Sequence, residues 1–286
     1  MRILVTGGHG FIGTPAVAAL RAAGHEVIAP RSGEADILNP DDRARIVSEA
    51  RADTLLHLAW QTTHGAFWTA QDNPDWRDAS TDLLETFLDA GGTRAVLAGS
   101  CAEYDWTTGA ATLPETAPCN PATLYGECKL ATWQHCEKRI AQGASIAWGR
   151  LFFLMGRNET PTRFMPAIVQ PLLAGGNAPM SDGAGLRDFM HADDAGGAFA
   201  ALALSDATGP VNIASGHPQT LVEIARMAHA LIGTGTLEVG ALPARAGEPD
   251  ALVADVSRLR NEVGFTPQHT TMSAIKDCIA FWRAQA

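Results

Sequence analysis

Tyr125 and Lys129 stand four residues apart in Tyr125-Gly126-Glu127-Cys128-Lys129, a spacing that puts a phenol and an ammonium on one face of a helix. A phenol titrates near a pH of about 10, and a neighbouring cation favours its ionised form, which would make it a better acid-base group at neutral pH. The same lysine can hold the ribose of a nucleotide. Upstream, Ser100 ends an apolar run and supplies a hydroxyl for a carbonyl oxygen held beside the tyrosine. A tyrosine and lysine at this spacing also arise by chance, so the pair gains meaning from its surroundings. Those begin with Thr6-Gly7-Gly8-His9-Gly10-Phe11-Ile12-Gly13. Glycines between a strand and a helix let the backbone turn tightly and approach a pyrophosphate, and the helix N-terminus offers free N–H groups and a positive dipole end. At the end of the second apolar run an acid would bind both ribose hydroxyls of NAD. This chain carries Pro30-Arg31-Ser32 there, and Arg31 and Ser32 suit a 2′-phosphate. NADP is therefore the expected cofactor, with NAD as the other option. Asp36, followed by Ile37, either sets a carboxylate near the adenine amine or caps a helix.

The elements that must position these groups alternate in type. Strands are expected over residues 2–6, 25–30, 54–59, 94–99 and 145–153, and helices over 15–23, 41–50, 81–90 and 124–141. That alternation specifies a parallel sheet with helices on both faces. Beyond about residue 155 the alternation weakens and Pro and Gly become denser. A late strand over 211–215 should return to the sheet, and a last helix over 272–284 has a mixed apolar face. The expected class is α/β: a Rossmann-like, doubly wound parallel sheet with a smaller C-terminal substrate-binding domain. Residues 1–155 would bind the dinucleotide, with returning segments at about 188–215, and residues 156–187 and 216–286 would bind the substrate.

Composition narrows the partners. The 286 residues carry 21 Lys and Arg against 31 Asp and Glu, a formal charge of −10. An acidic chain has no general attraction for nucleic acid or anionic membrane. No segment reaches the ~20 apolar residues of a membrane span, and the N-terminus lacks the pattern of a signal peptide, so the cytoplasm is expected. Cys101, Cys119, Cys128, Cys136 and Cys278 form no CxxC pair and no zinc spacing, so neither a disulfide framework nor a metal site is expected.

Taken together, these residues resemble the extended short-chain dehydrogenase/reductases, and within them the NAD(P)-dependent sugar-nucleotide epimerase/dehydratase/reductase family. The resemblance spans nearly the whole chain. It is carried by Thr6 to Gly13, His57-Leu58-Ala59, Gly99-Ser100, Tyr125 with Lys129, Arg187-Asp188-Phe189-Met190-His191-Ala192-Asp193-Asp194, Val211-Asn212-Ile213, and residues 247–255 with Gly264-Phe265-Thr266-Pro267. It implies a seven-stranded cofactor domain and Ser100, Tyr125 and Lys129 as the catalytic triad. Gly7, Gly10, Phe11, Ile12, Gly13, Arg31, Ser32, Asp36, Ile37, Leu58 and Ala59 would contact the cofactor, together with Tyr125 and Lys129. Arg187 and Arg245 fit a diphosphate clamp for a nucleotide-diphosphate sugar. Family members commonly form homodimers through two helices per subunit. Here Leu83, Leu84, Phe87 and Leu88 would supply that face, unless they cover the sheet.

Departures from the family pattern sharpen the reading. Where many members carry a phosphate-binding Asn, this chain has Phe153. Dehydratases place Asp and Glu directly after the catalytic hydroxyl; Cys101-Ala102 follow Ser100, which removes the dehydratase reading. Glu103 could face the sugar or serve the scaffold. Two Trp, a Phe and His64 crowd residues 60–68, either as a sugar-facing wall or as packing. The leading expectation is an NADPH-dependent reductase of a nucleotide-linked 4-keto-6-deoxy sugar. The alternatives are an NAD-dependent 4-epimerase and a non-catalytic NADP-binding regulator.

Overall fold

The computed structural model describes residues 1–63, 65–244 and 247–285. In chain order its first elements are β1 (Arg2–Thr6), α1 (Gly13–Ala22), β2 (Glu26–Ile28), α2 (Pro40–Ala50), β3 (Thr54–His57), α3 (Asn73–Asp89), β4 (Arg94–Ser100), α4 (Leu124–Ala141) and β5 (Ser145–Leu151). There follow β6 (Phe153–Met155), α5 (Phe164–Leu173), β7 (Asn177–Met180), β8 (Leu186–Arg187), β9 (Phe189–His191), α6 (Ala192–Leu204) and β10 (Gly209–Ile213). The chain ends with β11 (Gln219–Thr220), α7 (Leu221–Ile232), β12 (Thr236–Val239), β13 (Ala251–Leu252), α8 (Ser257–Asn261) and α9 (Thr271–Arg283).

The central sheet is parallel, in the order β10-β5-β4-β3-β1-β2. Alternating side chains explain why it is covered on both faces. Ile3, Val5, Leu56, Val96 and Ala147 pack into one apolar cluster with α1 and α6. Leu4, Leu55, Ala95, Leu97, Ile146 and Trp148 point the other way, into a second cluster with α2, α3 and α4. A third cluster, drawn from α5, α7, α9 and β7, belongs to the C-terminal part of the chain. Among the described residues no helix is long and apolar enough to cross a membrane.

Several expectations are corrected. The sheet has six strands rather than seven, because residues 29–39 run through turns from β2 straight into α2 and leave β2 at the edge. The strand expected over 145–153 breaks at Phe152, whose N–H donates to Ile213 O; the chain then leaves the sheet and β6 pairs with β9. Helix α3 begins at Asn73 instead of residue 81, with a proline at its start where an N–H would be unpaired anyway. Leu83, Leu84 and Phe87 are buried against the sheet, so they supply no dimer face.

Candidate active site

The first turn of the fold is shaped for close backbone approach. The Gly10 N–H donates to Gly7 O at 3.0 Å, and Thr14 N–H to Gly10 O at 3.0 Å. A Cβ on Gly13 would run into the Gly7 carbonyl, which explains the last glycine of the motif. Beneath the turn, Thr6 Oγ1 lies 2.6 Å from His57 Nδ1, and His57 Nε2 lies 2.8 Å from Ser80 Oγ. Ser80 spends its only proton on Trp76 O, so Nε2 carries the imidazole hydrogen and Nδ1 accepts from Thr6. Burial, with the nearby Lys129 charge, pushes His57 down to about 3. It is a neutral brace joining β1, β3 and α3, one that sequence reading left as part of a family motif.

Ser100 closes β4 and caps the short 3-10 turn of Cys101–Glu103. Tyr125 and Lys129 come from the first turns of α4, which Thr123 caps by accepting from Gly126 N–H at 3.1 Å. Gly126 sits against Ala102 O with no room for a Cβ, so this glycine brings the tyrosine's turn onto the serine's turn. The two residues line one cavity. Tyr125 is enclosed edge-on by Trp60, Phe67 and Trp68, with ring centroids at 6.1, 4.9 and 5.8 Å.

The electrostatics differ from the expected pairing. Burial pushes the Tyr125 phenol up, opposed by the Ser100 hydroxyl. Lys129 does not offset this. Its Nζ donates to Ala98 O at 2.7 Å and lies 3.6 Å from the centroid of the Trp60 ring, while the tyrosine centroid is 5.9 Å away. Burial in turn pushes the ammonium down to about 7. The aromatic residues that crowd Tyr125 also strip water from Lys129, and desolvation outweighs their mutual influence.

One cavity of about 1160 Å³ joins these groups. Its lining holds Gly7, Gly10, Phe11 and Ile12, then Arg31, Ser32, Asp36, Ile37, Leu58 and Ala59, and also Ser100, Tyr125 and Arg187. Of the residues expected at the cofactor, Gly13 and Lys129 lie behind that surface. The donor-rich turn and the tight glycine contacts fit a dinucleotide. Asp36 does not cap α2: Asn39 does, and the Asp36 carboxylate accepts from Leu38 N–H at 2.9 Å. Arg187 reaches the cavity with its guanidinium already on Glu248 Oε1 at 2.8 Å and Leu186 O at 2.9 Å. His64 and Arg245 lie outside the described residues.

Glu103 does not face the cavity. It is fully buried, receiving the Ser100 N–H at 2.7 Å, Trp148 Nε1 at 2.9 Å and Arg150 Nε at 2.8 Å. Its carboxylate fixes the backbone of Ser100. The cavity also takes in Trp76, Trp106, Glu159, Thr162 and Phe164, which sequence reading did not single out. Only the density of aromatic residues hinted at such a wall, and nothing in the loop after β6 marked Glu159.

Comparison with known proteins agrees with this architecture. Residues 3–214 match the NAD dependent epimerase/dehydratase family, and the chain belongs to it. It is 26% identical to a UDP-glucose 4-epimerase of Corynebacterium glutamicum, over 99% of this chain and 96% of that one. It is 27% identical to a dTDP-6-deoxy-L-talose 4-dehydrogenase (NAD(P)(+)) of Kitasatospora kifunensis, over 100% and 96%. A crystal structure of UDP-glucose 4-epimerase with UDP-glucose from Thermotoga maritima superposes with a TM-score of 0.88 at 21% identity, covering 100% of this chain and 99% of that one. The chain is thus an NAD(P)-dependent enzyme, and the regulator reading falls away.

Proposed function

We propose that the protein reduces the 4-keto group of a nucleotide-linked 4-keto-6-deoxy sugar with NADPH. The observation that carries this reading is that Arg31 and Ser32, at the end of β2, line the same cavity as Ser100 and Tyr125. A nicotinamide held in this cavity would supply the hydride for the carbonyl carbon. Tyr125 gives its phenolic proton to the carbonyl oxygen, yielding an alcohol. Ser100 polarises that oxygen, and Lys129 holds the cofactor ribose. Residues 1–155 and about 188–215 serve the cofactor, while 156–187 and 216–286 close over the sugar nucleotide. Arg187 grips the diphosphate by exchanging Glu248 for a phosphate oxygen.

The test is a panel of nucleotide-linked 4-keto sugars with NADPH or NADH, followed by the loss of cofactor absorbance. NADPH consumption with a 4-keto sugar is the expected result; no consumption with any of them would sink the reading. A 4-epimerase is the second reading, favoured by the full-length match to a UDP-glucose 4-epimerase. It predicts that UDP-glucose and UDP-galactose interconvert with no net change in cofactor.

A further inference from the structure

The loop after β3 reaches both residues of α4 that the proposed reaction uses. Trp60 lines the cavity, and the centroid of its ring lies 3.6 Å from Lys129 Nζ. The ring is not free to turn, because its Nε1–H donates to Asn73 Oδ1 at 2.9 Å. Asn73 is fully buried at the start of α3, and its amide donates to Phe67 O at 2.8 Å and Ala70 O at 2.9 Å. One carboxamide thus closes the loop on itself and fixes the face that Trp60 presents. The Tyr125 N–H donates to Trp68 O of the same loop at 3.1 Å.

Lys129 is 3% exposed, and its Nζ donates to Ala98 O at 2.7 Å. The other side of the ammonium meets the negative face of the indole, which attracts a cation most strongly where water is excluded. The titratable groups around it are Glu103 in the turn after β4, Cys128 and Tyr125 on its own helix, and His57 of β3, which is neutral. Glu103 is already paired with Arg150. We infer that Trp60 is a positioning residue for the reduction proposed above, on which this assignment rests: its fixed ring face holds the Lys129 ammonium in place and keeps it charged in a wall that excludes water. Burial pulls Lys129 down to about 7, and the ring face works against that pull. The sign of its effect separates this role from plain packing. An apolar side chain without a π face leaves the burial and loses the attraction, so Lys129 gives up its proton at lower pH. A ring that served only as a dry cover would, when cut down, admit water and let Lys129 titrate at higher pH.

The test reads Lys129 directly. The chain has three lysines, Lys129, Lys138 and Lys276, and the last two are exposed. Isotopic labelling at lysine Cε therefore gives a simple NMR spectrum, in which Lys129→Met identifies the resonance of interest. Wild type, Trp60→Phe, Trp60→Leu and Trp60→Met are titrated from about pH 5 to about pH 11. The expected result is a Lys129 midpoint about one pH unit lower in Trp60→Leu and Trp60→Met, with most of the wild-type value kept in Trp60→Phe. Two apolar replacements of different shape cover the failure of one to fold. An unchanged or raised midpoint in the apolar variants would overturn the assignment. With an accepted keto sugar, the high-pH limb of NADPH consumption should move down together with the midpoint. A moved midpoint with an unmoved limb would overturn the positioning role. If no keto sugar is accepted, the reductase reading fails, while the NMR midpoints still decide whether Trp60 holds the charge.

Discussion

At the scale of single residues, the site depends on a tyrosine whose proton is held by burial, with the Ser100 hydroxyl acting in the opposite direction. Tyr125→Phe keeps the ring against Trp60, Phe67 and Trp68 but has no proton to give. General acid catalysis is worth about 10²–10⁴-fold, so single-turnover hydride transfer to an accepted keto sugar should slow by that factor while NADPH binding persists. Hydride transfer at the wild-type rate in this variant would refute the proposed role. Arg31 makes a separate claim. It is exposed at the rim of the cavity, where a charge-assisted contact to a 2′-phosphate is worth roughly 1.5–3 kcal/mol. Arg31→Asp should weaken NADPH about tenfold or more in a fluorescence titration and leave NADH nearly unchanged. A wild type that already prefers NADH would show the argument to be wrong.

At the scale of elements, the site is a junction between the end of β4 and the start of α4, and both sides are fixed from below. Glu103 ties the Ser100 backbone to Trp148 and Arg150 of β5, a pairing in which both charged side chains are buried. Removing one member of such a pair leaves an uncompensated charge and costs about 3–5 kcal/mol. Glu103→Ala should therefore lower the denaturant midpoint strongly. A midpoint within error of wild type would mean that the acid is not structural. Gly126 fixes the other side. Its fit against Ala102 O means that Gly126→Ala must push α4 away from the serine turn, and turnover should fall more than stability does.

At the scale of the whole molecule, one cavity runs from the glycine turn to the loop that carries Glu159, and its burial makes stability depend on pH. Glu159 titrates at about 8 in the fold against 4.5 for the free side chain. Its folded-state value is raised, so its neutral form is favoured by folding. This acid leaves the protein most stable below about 4.5 and progressively less so as pH rises towards about 8. Glu159→Gln removes the titration. Its melting temperature should exceed that of wild type at about pH 8 and converge with it at about pH 5. Parallel melting curves for the two proteins across that range would contradict the buried, unpaired acid.

Much of this was legible in the sequence, because it depends on local rules. A strand, a glycine turn and an Ala-rich helix at the N-terminus require one another, so the dinucleotide fold and its sheet could be read from periodicity and punctuation. The four-residue spacing of Tyr125 and Lys129 fixed their common helix face, and Arg31 was marked by the absence of an acid after β2. What the sequence could not decide are the properties that come from packing segments far apart in the chain. Glu103 stands three residues from Ser100 in any reading, but only the approach of Trp148 and Arg150 turns its carboxylate inward. Lys129 lies four residues from Tyr125, yet Ala98 O and the Trp60 ring claim its ammonium. The missing seventh strand reflects how few residues separate β2 from α2, which matters only once the sheet edge is known. Spacing along the chain sets which groups can meet. Burial, a property of the assembled molecule alone, sets their charge.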